Sequence, residues 1–282
     1  MLLREVVAHA VEKLASVGIE NPQVDVELLV GHVLELNRGQ VQAAVIANAE
    51  IQESDLKQLN DLFGRRFKRE PLQHLTGVAY FRQLELEVGL GVFIPRPETE
   101  SVAQLAIDAL NASQLPEPIA VDLGTGSGAI ALAMHTEVAK ASVFAVEKSP
   151  EAYVFTKRNF ARYPGADLIL GDLADSFNAL NGSASVVISN PPYIPAAMVP
   201  IDPEVHLFDP SLALYGGIDG LDVIRQVSST ANRLLRDGGY LVIEHADSQS
   251  TQVRELLLAD GWREVRAHRD LTERYRAVTA IK

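Results

Sequence analysis

Cysteine is absent from all 282 residues, which excludes disulfides, thiolate metal sites and a thiol nucleophile and fits a reducing compartment. Long apolar runs are also missing. No segment approaches the roughly 20 residues a membrane helix requires, and the start of the chain (Leu2, Leu3, Arg4, Glu5) becomes charged before a signal-type core can form. The expectation is a cytoplasmic protein without a membrane association. Positive charge is scarce, with a formal net charge of -12. A broad basic surface for phosphates is therefore excluded, and direct nucleic-acid binding is not expected. The seven histidines are scattered without ligand spacing, so no metal site is expected. What is present is a hydrophobic content of 47%, ordinary for a globular chain of one large domain or of a large and a small one.

Apolar residues at helical spacing (Leu3, Val6, Val7, Ala10, Val11, Leu14) ahead of Gly18 predict a first helix. Asn21 and Pro22 read as N-cap and first position of a second helix, reaching about Leu36. Further helices are expected at about 38–47 and from Ser54 to about Glu70, which makes residues 1–75 a small helical bundle. The cluster "RRFKRE" at 65–70 is read as complementing the negative end of the fourth helix. Alternation from Phe81 to Val88, with glycines at 77, 89 and 91, predicts a β-hairpin linker over 76–97. From residue 98 onward a helix to about Leu110 is followed by strand-like runs at Ile119–Leu123, Ser142–Glu147, Asp167–Leu170, Ser185–Ser189, Tyr240–His245, Glu264–His268 and Tyr275–Ile281, alternating with helical stretches. The fold class that follows is α/β, a mainly parallel sheet covered by helices on both faces.

"VDLGTGSGA" at 121–129 follows the first of these strands and opens a helix. Its glycines permit a sharp turn and close approach of a ligand, and the helix start offers free amide donors. Glu147, ending the next strand, is suited to accept from two ribose hydroxyls. The loop also satisfies the loose dinucleotide pattern GxGxx[GA] through Gly124, Gly126 and Ala129, so NAD and S-adenosylmethionine both remain open at this point. Asp172, in "LILGDL", reads equally as an acidic contact for an adenine amino group or as a turn residue after Gly171.

"SNPPYIP" at 189–195 ends the fourth strand. Pro191 and Pro192 cannot donate and fix φ, so the segment is a stiff array of acceptors at the ligand-binding edge of the sheet. The Asn190 side-chain oxygen and the Pro191 carbonyl can accept both N–H bonds of a planar NH2 group, while the Tyr193 ring covers its face. Delocalisation makes such a nitrogen a poor nucleophile. Two acceptors that draw it towards tetrahedral geometry expose its lone pair, so positioning and electrostatics supply the catalysis.

With these blocks in view, the chain resembles the glutamine N5-methyltransferases of peptide chain release factors. The resemblance covers "PLQHLTGVAYFRQLELEVGLGVFIPRPETE" (71–100), "VDLGTGSGAIALA", "SNPPYIP", "LFDPSLALYGGIDGLDVI" (207–224) and "GGYLVIEHADSQ" (238–249). It implies a Rossmann-like, class I methyltransferase sheet of seven strands in residues 98–282, preceded by the hairpin linker and a helical region that helps hold the release factor. It implies S-adenosylmethionine, leaving as S-adenosylhomocysteine, bound by Gly124, Thr125, Gly126, Ser127, Gly128, Glu147, Asp172, Leu173 and Asn190. The glutamine of a Gly-Gly-Gln loop would lie against Asn190, Pro191, Pro192, Tyr193 and Phe93, with Asn190, Pro191 and Tyr193 catalytic. Arg96 and Glu98 would fix the linker and the next helix. Glu147 stands where many members carry Asp, Leu173 where some carry an aromatic residue, Ala246 where glycine is common, and Asp209 where Glu is common.

Three other functions use parts of the same pattern. Methylation of an exocyclic amine in nucleic acid shares the Asn-Pro-Pro-Tyr motif but lacks a basic face here. An NAD-binding oxidoreductase needs only the glycine loop, and a non-catalytic release-factor-binding module needs only the surface. His245, beside Glu244 in a buried strand, is read as structural.

Overall fold

The computed structural model describes all residues, 1–282. The chain forms two compact units: residues 1–78 with 200–208, and residues 79–199 with 209–282.

The first unit is helical: α1 (Leu3–Ser16), α2 (Pro22–Leu34), α3 (Arg38–Ile46), α4 (Glu53–Phe67) and the single turn α5 (Leu72–Thr76). Leu3, Val6, Val7, Ala10 and Leu14, spaced to share one face of α1, are all buried and pack with Val26, Leu29, Val30, Leu59 and Phe63 from α2 and α4. Asn37 and Gln40 form a reciprocal capping box at α3. Pro22 stands at the first position of α2 as expected, yet the Asn21 side chain makes no cap. The "RRFKRE" cluster serves acids more than helix ends. Arg66, buried, pairs with Asp25 at 2.7 Å and Glu204 at 2.9 Å, and Arg65 pairs with Glu70. Arg69 donates to the Val17 and Gly18 carbonyls, so the helix end it complements belongs to α1. Both Arg66 and Arg69 reach Glu204, which explains why 200–208, distant in sequence, joins this unit.

The hairpin β1 (Val78–Phe81) and β2 (Leu84–Glu87) lies in the second unit apart from Val78, and after it come α6 (Pro97–Ala112), β3 (Ile119–Leu123), α7 (Ala129–Glu137), β4 (Ser142–Glu147), α8 (Pro150–Arg162), β5 (Asp167–Leu170) and β6 (Ala184–Ser189). The helix α9 (Pro203–Phe208) belongs to the helical unit, and α10 (Ser211–Leu214), α11 (Asp222–Leu234), β7 (Leu235–Glu244), α12 (Ser250–Ala259), β8 (Arg263–Arg269) and β9 (Tyr275–Ile281) complete the sheet unit. The hairpin is pinned by Arg82, which bonds Glu137 of α7 and Gln104 of α6, and by Tyr163 and Asn159 following from α8.

The sheet has seven strands in the order β5-β4-β3-β6-β7-β9-β8, parallel except for β9, which runs antiparallel between β7 and β8. Every residue of β6 is buried, as a parallel strand covered on both faces requires. One face packs on α6, α7 and α8 and the other on α11 and α12. The order of connection reverses between β3 and β6, whose register aligns Asp122 with Ile188. Their carboxyl ends therefore open side by side at the topological switch point, where ligands bind in such sheets. Strand β7 begins at Leu235, ahead of the expected Tyr240, and α5, α9 and α10 were not foreseen in the apolar pattern because each is too short to show a period.

Candidate active site

The glycine loop leaves β3 at the switch point. Gly124, Gly126 and Gly128 have φ of +76°, +59° and +90°, a region costly for any residue with a Cβ. At Gly124 and Gly126 nothing lies within 4 Å of where a Cβ would stand, whereas at Gly128 a Cβ would meet the Phe160 ring at 2.9 Å. The first two glycines thus face open space and the third faces packing. Backbone amides of Gly124 and Thr125 both donate to the Val146 carbonyl at 3.0 Å, locking the loop to the end of β4. Ser127 is buried, and its carbonyl accepts from Asn159 at 2.9 Å.

Glu147 ends β4 against this loop. Its carboxylate accepts from the Gly126 amide at 2.8 Å and the Ser149 amide at 2.7 Å. Burial pushes its pKa up, and these backbone donors oppose the rise. A carboxylate has about four acceptor positions, and with the Lys148 amide as a third backbone neighbour at least one remains for a ligand hydroxyl. Asp122, which the sequence pattern did not single out, lies below, with no solvent exposure. It accepts from the Thr125 hydroxyl at 2.6 Å and the Ala131 amide at 3.1 Å, tying the loop to the start of α7. Burial raises it to about 7. Asp172, after β5, is half-exposed: it caps Ala174 and pairs with Lys148 at 2.9 Å, both of which hold its pKa low. Leu173 and Tyr193 pack on the same core cluster.

Asn190 follows β6 directly, and the Ser189 hydroxyl donates to the Leu123 carbonyl at 2.6 Å. That bond ties the end of β6, with the Asn-Pro-Pro-Tyr segment, to the end of β3, with the glycine loop. No backbone donor reaches the carbonyls of Asn190 or Pro191. The segment's shape is fixed from the other side. Ile194 donates to the Leu214 carbonyl, Gly216 donates to the Ile194 carbonyl, and Gln249 donates to the Tyr193 carbonyl at 2.9 Å. A Cβ on Gly216 would stand 2.5 Å from the Pro192 carbonyl oxygen, and one on Gly220 would stand 2.2 Å from that of Tyr193, so backbone presses on backbone at both points.

Beneath this segment lies a cluster that sequence reasoning missed. The Asn190 side-chain nitrogen donates to the Thr99 hydroxyl at 3.4 Å. Glu244, 1% exposed, has the Thr99 and Asn190 side chains as hydrogen-bonding neighbours. Burial raises its pKa to about 8 against the opposing pull of Thr99, Arg276 and Asn190. Arg276 stands 4.0 Å from Glu98 and 3.4 Å from Asp270. Burial, then the Glu244 charge, pushes the Tyr193 phenol up. Arg96 pairs with Asp209 at 2.5 Å, covers the half-buried Phe93 ring at 4.8 Å, and contributes to the field at Tyr193. His245 is fully buried, with its Nδ1 at 2.7 Å from the Ala246 carbonyl oxygen, and burial lowers its pKa.

Both parts of the chain have relatives among known proteins. Residues 5–77 match the PrmC N-terminal domain and residues 90–201 the methyltransferase small domain. The release factor glutamine methyltransferase of Streptomyces coelicolor is 46% identical, with 100% of this chain and 98% of that protein covered. The one from Mycolicibacterium smegmatis is 43% identical over 99% and 98%. Among solved structures, a methyltransferase from Pyrococcus furiosus covers 80% of this chain and 98% of its own at a TM-score of 0.51 and 18% identity, a likeness of fold alone. With the relatives aligned from end to end, the chain belongs to the release factor glutamine methyltransferase family.

Proposed function

We propose that the protein transfers a methyl group from S-adenosylmethionine to the side-chain amide nitrogen of the glutamine in the Gly-Gly-Gln motif of peptide chain release factors. The observation that carries this reading is the pairing of two loops at the ends of β3 and β6, one offering open space at Gly124 and Gly126 beside the Glu147 carboxylate, the other bare acceptors. The residues present fit the cofactor. Gly124 and Gly126 leave open space on the loop, and Glu147 keeps an acceptor position for a ribose hydroxyl. Thr125, Ser127 and Gly128 shape the loop, Asp172 and Leu173 border the adenine, and Asn190 adjoins both ligands. S-adenosylmethionine, when bound, supplies an electrophilic methyl group on a sulfonium.

The chain's own part is to prepare the nitrogen. Asn190 Oδ1 and the Pro191 carbonyl accept the two N–H bonds of the glutamine amide. Pro191 and Pro192 keep those acceptors in place, and Tyr193 with Phe93 covers the amide and keeps water off. Tyr193 stays a neutral phenol, since burial holds its pKa up. A neutral ring suits a wall against an amide. The helical region 1–75 and the linker 76–97 help hold the release factor while residues 98–282 carry the chemistry.

The test is transfer of labelled methyl from S-adenosylmethionine to a purified release factor, compared with the same factor carrying Gln→Ala at its Gly-Gly-Gln motif. Label is expected in the first alone. Equal labelling of both, or none of either, overturns the reading. The presence of label in RNA or DNA in place of protein would favour the exocyclic-amine alternative.

A further inference from the structure

The strand register places a carboxyl group next to Asn190 for a reason the methyl-transfer chemistry alone does not supply. In the parallel pair β6 and β7, Ser189 is opposite Ile243, so Asn190 and Glu244 are consecutive neighbours at the carboxyl edge. Thr99, buried in the first turn of α6, completes the group through its hydroxyl at 3.4 Å from the Asn190 side-chain nitrogen.

We propose that Glu244 is a positioning residue which, together with Thr99, fixes the orientation of the Asn190 amide so that its oxygen, not its nitrogen, faces the ligand. The proposal rests on the reading of Asn190 as acceptor for a substrate NH2 group.

An asparagine side chain is nearly symmetric in shape, and only the hydrogen-bonding character of its neighbours decides which end points where. The Glu244 oxygen that faces Thr99 and Asn190 accepts whether the carboxyl is ionised or carries its proton on the other, unpartnered oxygen, so a Thr99 hydroxyl that donates to it presents lone pairs to Asn190. Both neighbours then demand a donor, and the Asn190 nitrogen is the only donor that side chain has. The opposite orientation would set its oxygen against two acceptors in a buried place, with a donor aimed at the substrate's N–H bonds. Substrate binding would fail at both ends.

The surroundings make the carboxyl costly to keep. Val242, Ile243 and Val278 beside it are all 0% exposed, and one Glu244 oxygen has no hydrogen-bond partner in the protein. The charged and titratable groups around it are Arg276 from β9, Glu98 from α6 and Tyr193 from the Asn-Pro-Pro-Tyr segment. None of them supplies a direct donor that would explain the carboxyl on stability grounds. A leucine of similar size would fit the core better. What a leucine cannot do is select the Asn190 amide orientation.

The inference is tested by steady-state methyl transfer with a radiolabelled donor for wild type, Glu244→Gln, Glu244→Leu, Asn190→Ala and the Asn190→Ala/Glu244→Leu double variant, alongside calorimetric binding of S-adenosylhomocysteine. Glu244→Leu is expected to lower kcat about 100-fold with little change in cofactor affinity. Glu244→Gln, whose amide oxygen still accepts from Asn190 and Thr99, is expected to remain within about fivefold of wild type. The double variant should be no slower than Asn190→Ala, because the effect runs through that side chain. If Glu244→Gln is as slow as Glu244→Leu, the charge or a proton transfer matters and the inference falls. Additive losses in the double variant overturn it as well. Should Glu244→Leu fail to fold, Thr99→Val removes the intermediate hydroxyl; a kcat loss of about tenfold or more supports the inference and an unchanged kcat rejects it. A wild-type protein without transfer brings down the functional reading and this inference together, whereas active wild type with additive losses brings down the inference alone.

Discussion

The Asn159 side-chain nitrogen donates to the Ser127 carbonyl at 2.9 Å, joining the middle of α8 to the glycine loop. The same amide group grips the hairpin, its nitrogen donating to the Glu87 carbonyl at 3.0 Å and its oxygen accepting from the Glu87 amide at 2.7 Å. Asn159 is 1% exposed, so no water replaces these bonds. Thr156, one turn earlier, adds a bond to the Gly126 carbonyl. One helix face thus holds the glycine loop and the hairpin to a common frame.

Asn159→Ala is accordingly expected to cost about 2–4 kcal/mol of stability, from buried groups left without partners. It should also weaken S-adenosylhomocysteine binding about tenfold as the loop loses its support. Chemical denaturation and calorimetry read the two effects. A variant with unaltered cofactor affinity would show that the loop holds its shape without α8.

A second expectation concerns pH. Burial raises Asp122 to about 7 and Glu244 to about 8, from ordinary values of 3.8 and 4.5. Between about pH 4 and 8 the folded chain therefore keeps protons that the unfolded chain has released, and stability falls as pH rises through that window. Glu70, held low by Arg65, works in the opposite sense but only below about pH 4.5, as its unfolded form takes up a proton. His245, whose pKa burial lowers, also opposes the trend below about pH 6.5, so the Tm of the wild type should drop from about pH 7 to about pH 8.5, and that of the Asp122→Asn/Glu244→Gln variant should drop less. Equal slopes for the two proteins would contradict the assignment.

In the helical unit, Arg66→Met leaves Asp25 buried and without its partner at 2.7 Å, and leaves Glu204 to Arg69 alone. The expected loss is about 3–5 kcal/mol in urea unfolding. Restoring an apolar pair with Asp25→Leu/Arg66→Met should recover much of it. The single variant should also be cleaved faster by protease within 200–208, since Arg66 no longer tethers Glu204. Cleavage at the wild-type rate would mean that Arg69 alone suffices.

Much of the sheet was legible because parallel strands covered on both faces must be apolar throughout, and β3, β4 and β6 read that way in the chain. The glycine loop and Asn190 were legible because their chemistry is local: positive φ, missing donors, a carboxylate at a strand end. Thr99 and Glu244 were not, since each meets Asn190 only through pairing across the sheet and α6 packing. Arg66 looked like a helix-end charge because its partners, Asp25 and Glu204, lie far from it along the chain. Asp172 had two readings from its turn; the structure shows it capping Ala174 and pairing with Lys148, while its role towards a ligand stays within the proposal.

Gly216 and Gly220 were described as points where backbone presses on backbone behind Pro192 and Tyr193. The Asn-Pro-Pro-Tyr segment is consequently not a portable module. Copied onto the strand end of another sheet, the tetrapeptide would bring its prolines but not the mould behind them, and a side chain as small as alanine at either glycine would push its carbonyls out of line. An engineer wishing to transplant amide methylation must move two distant pieces of chain together, and the second piece contains none of the reacting groups.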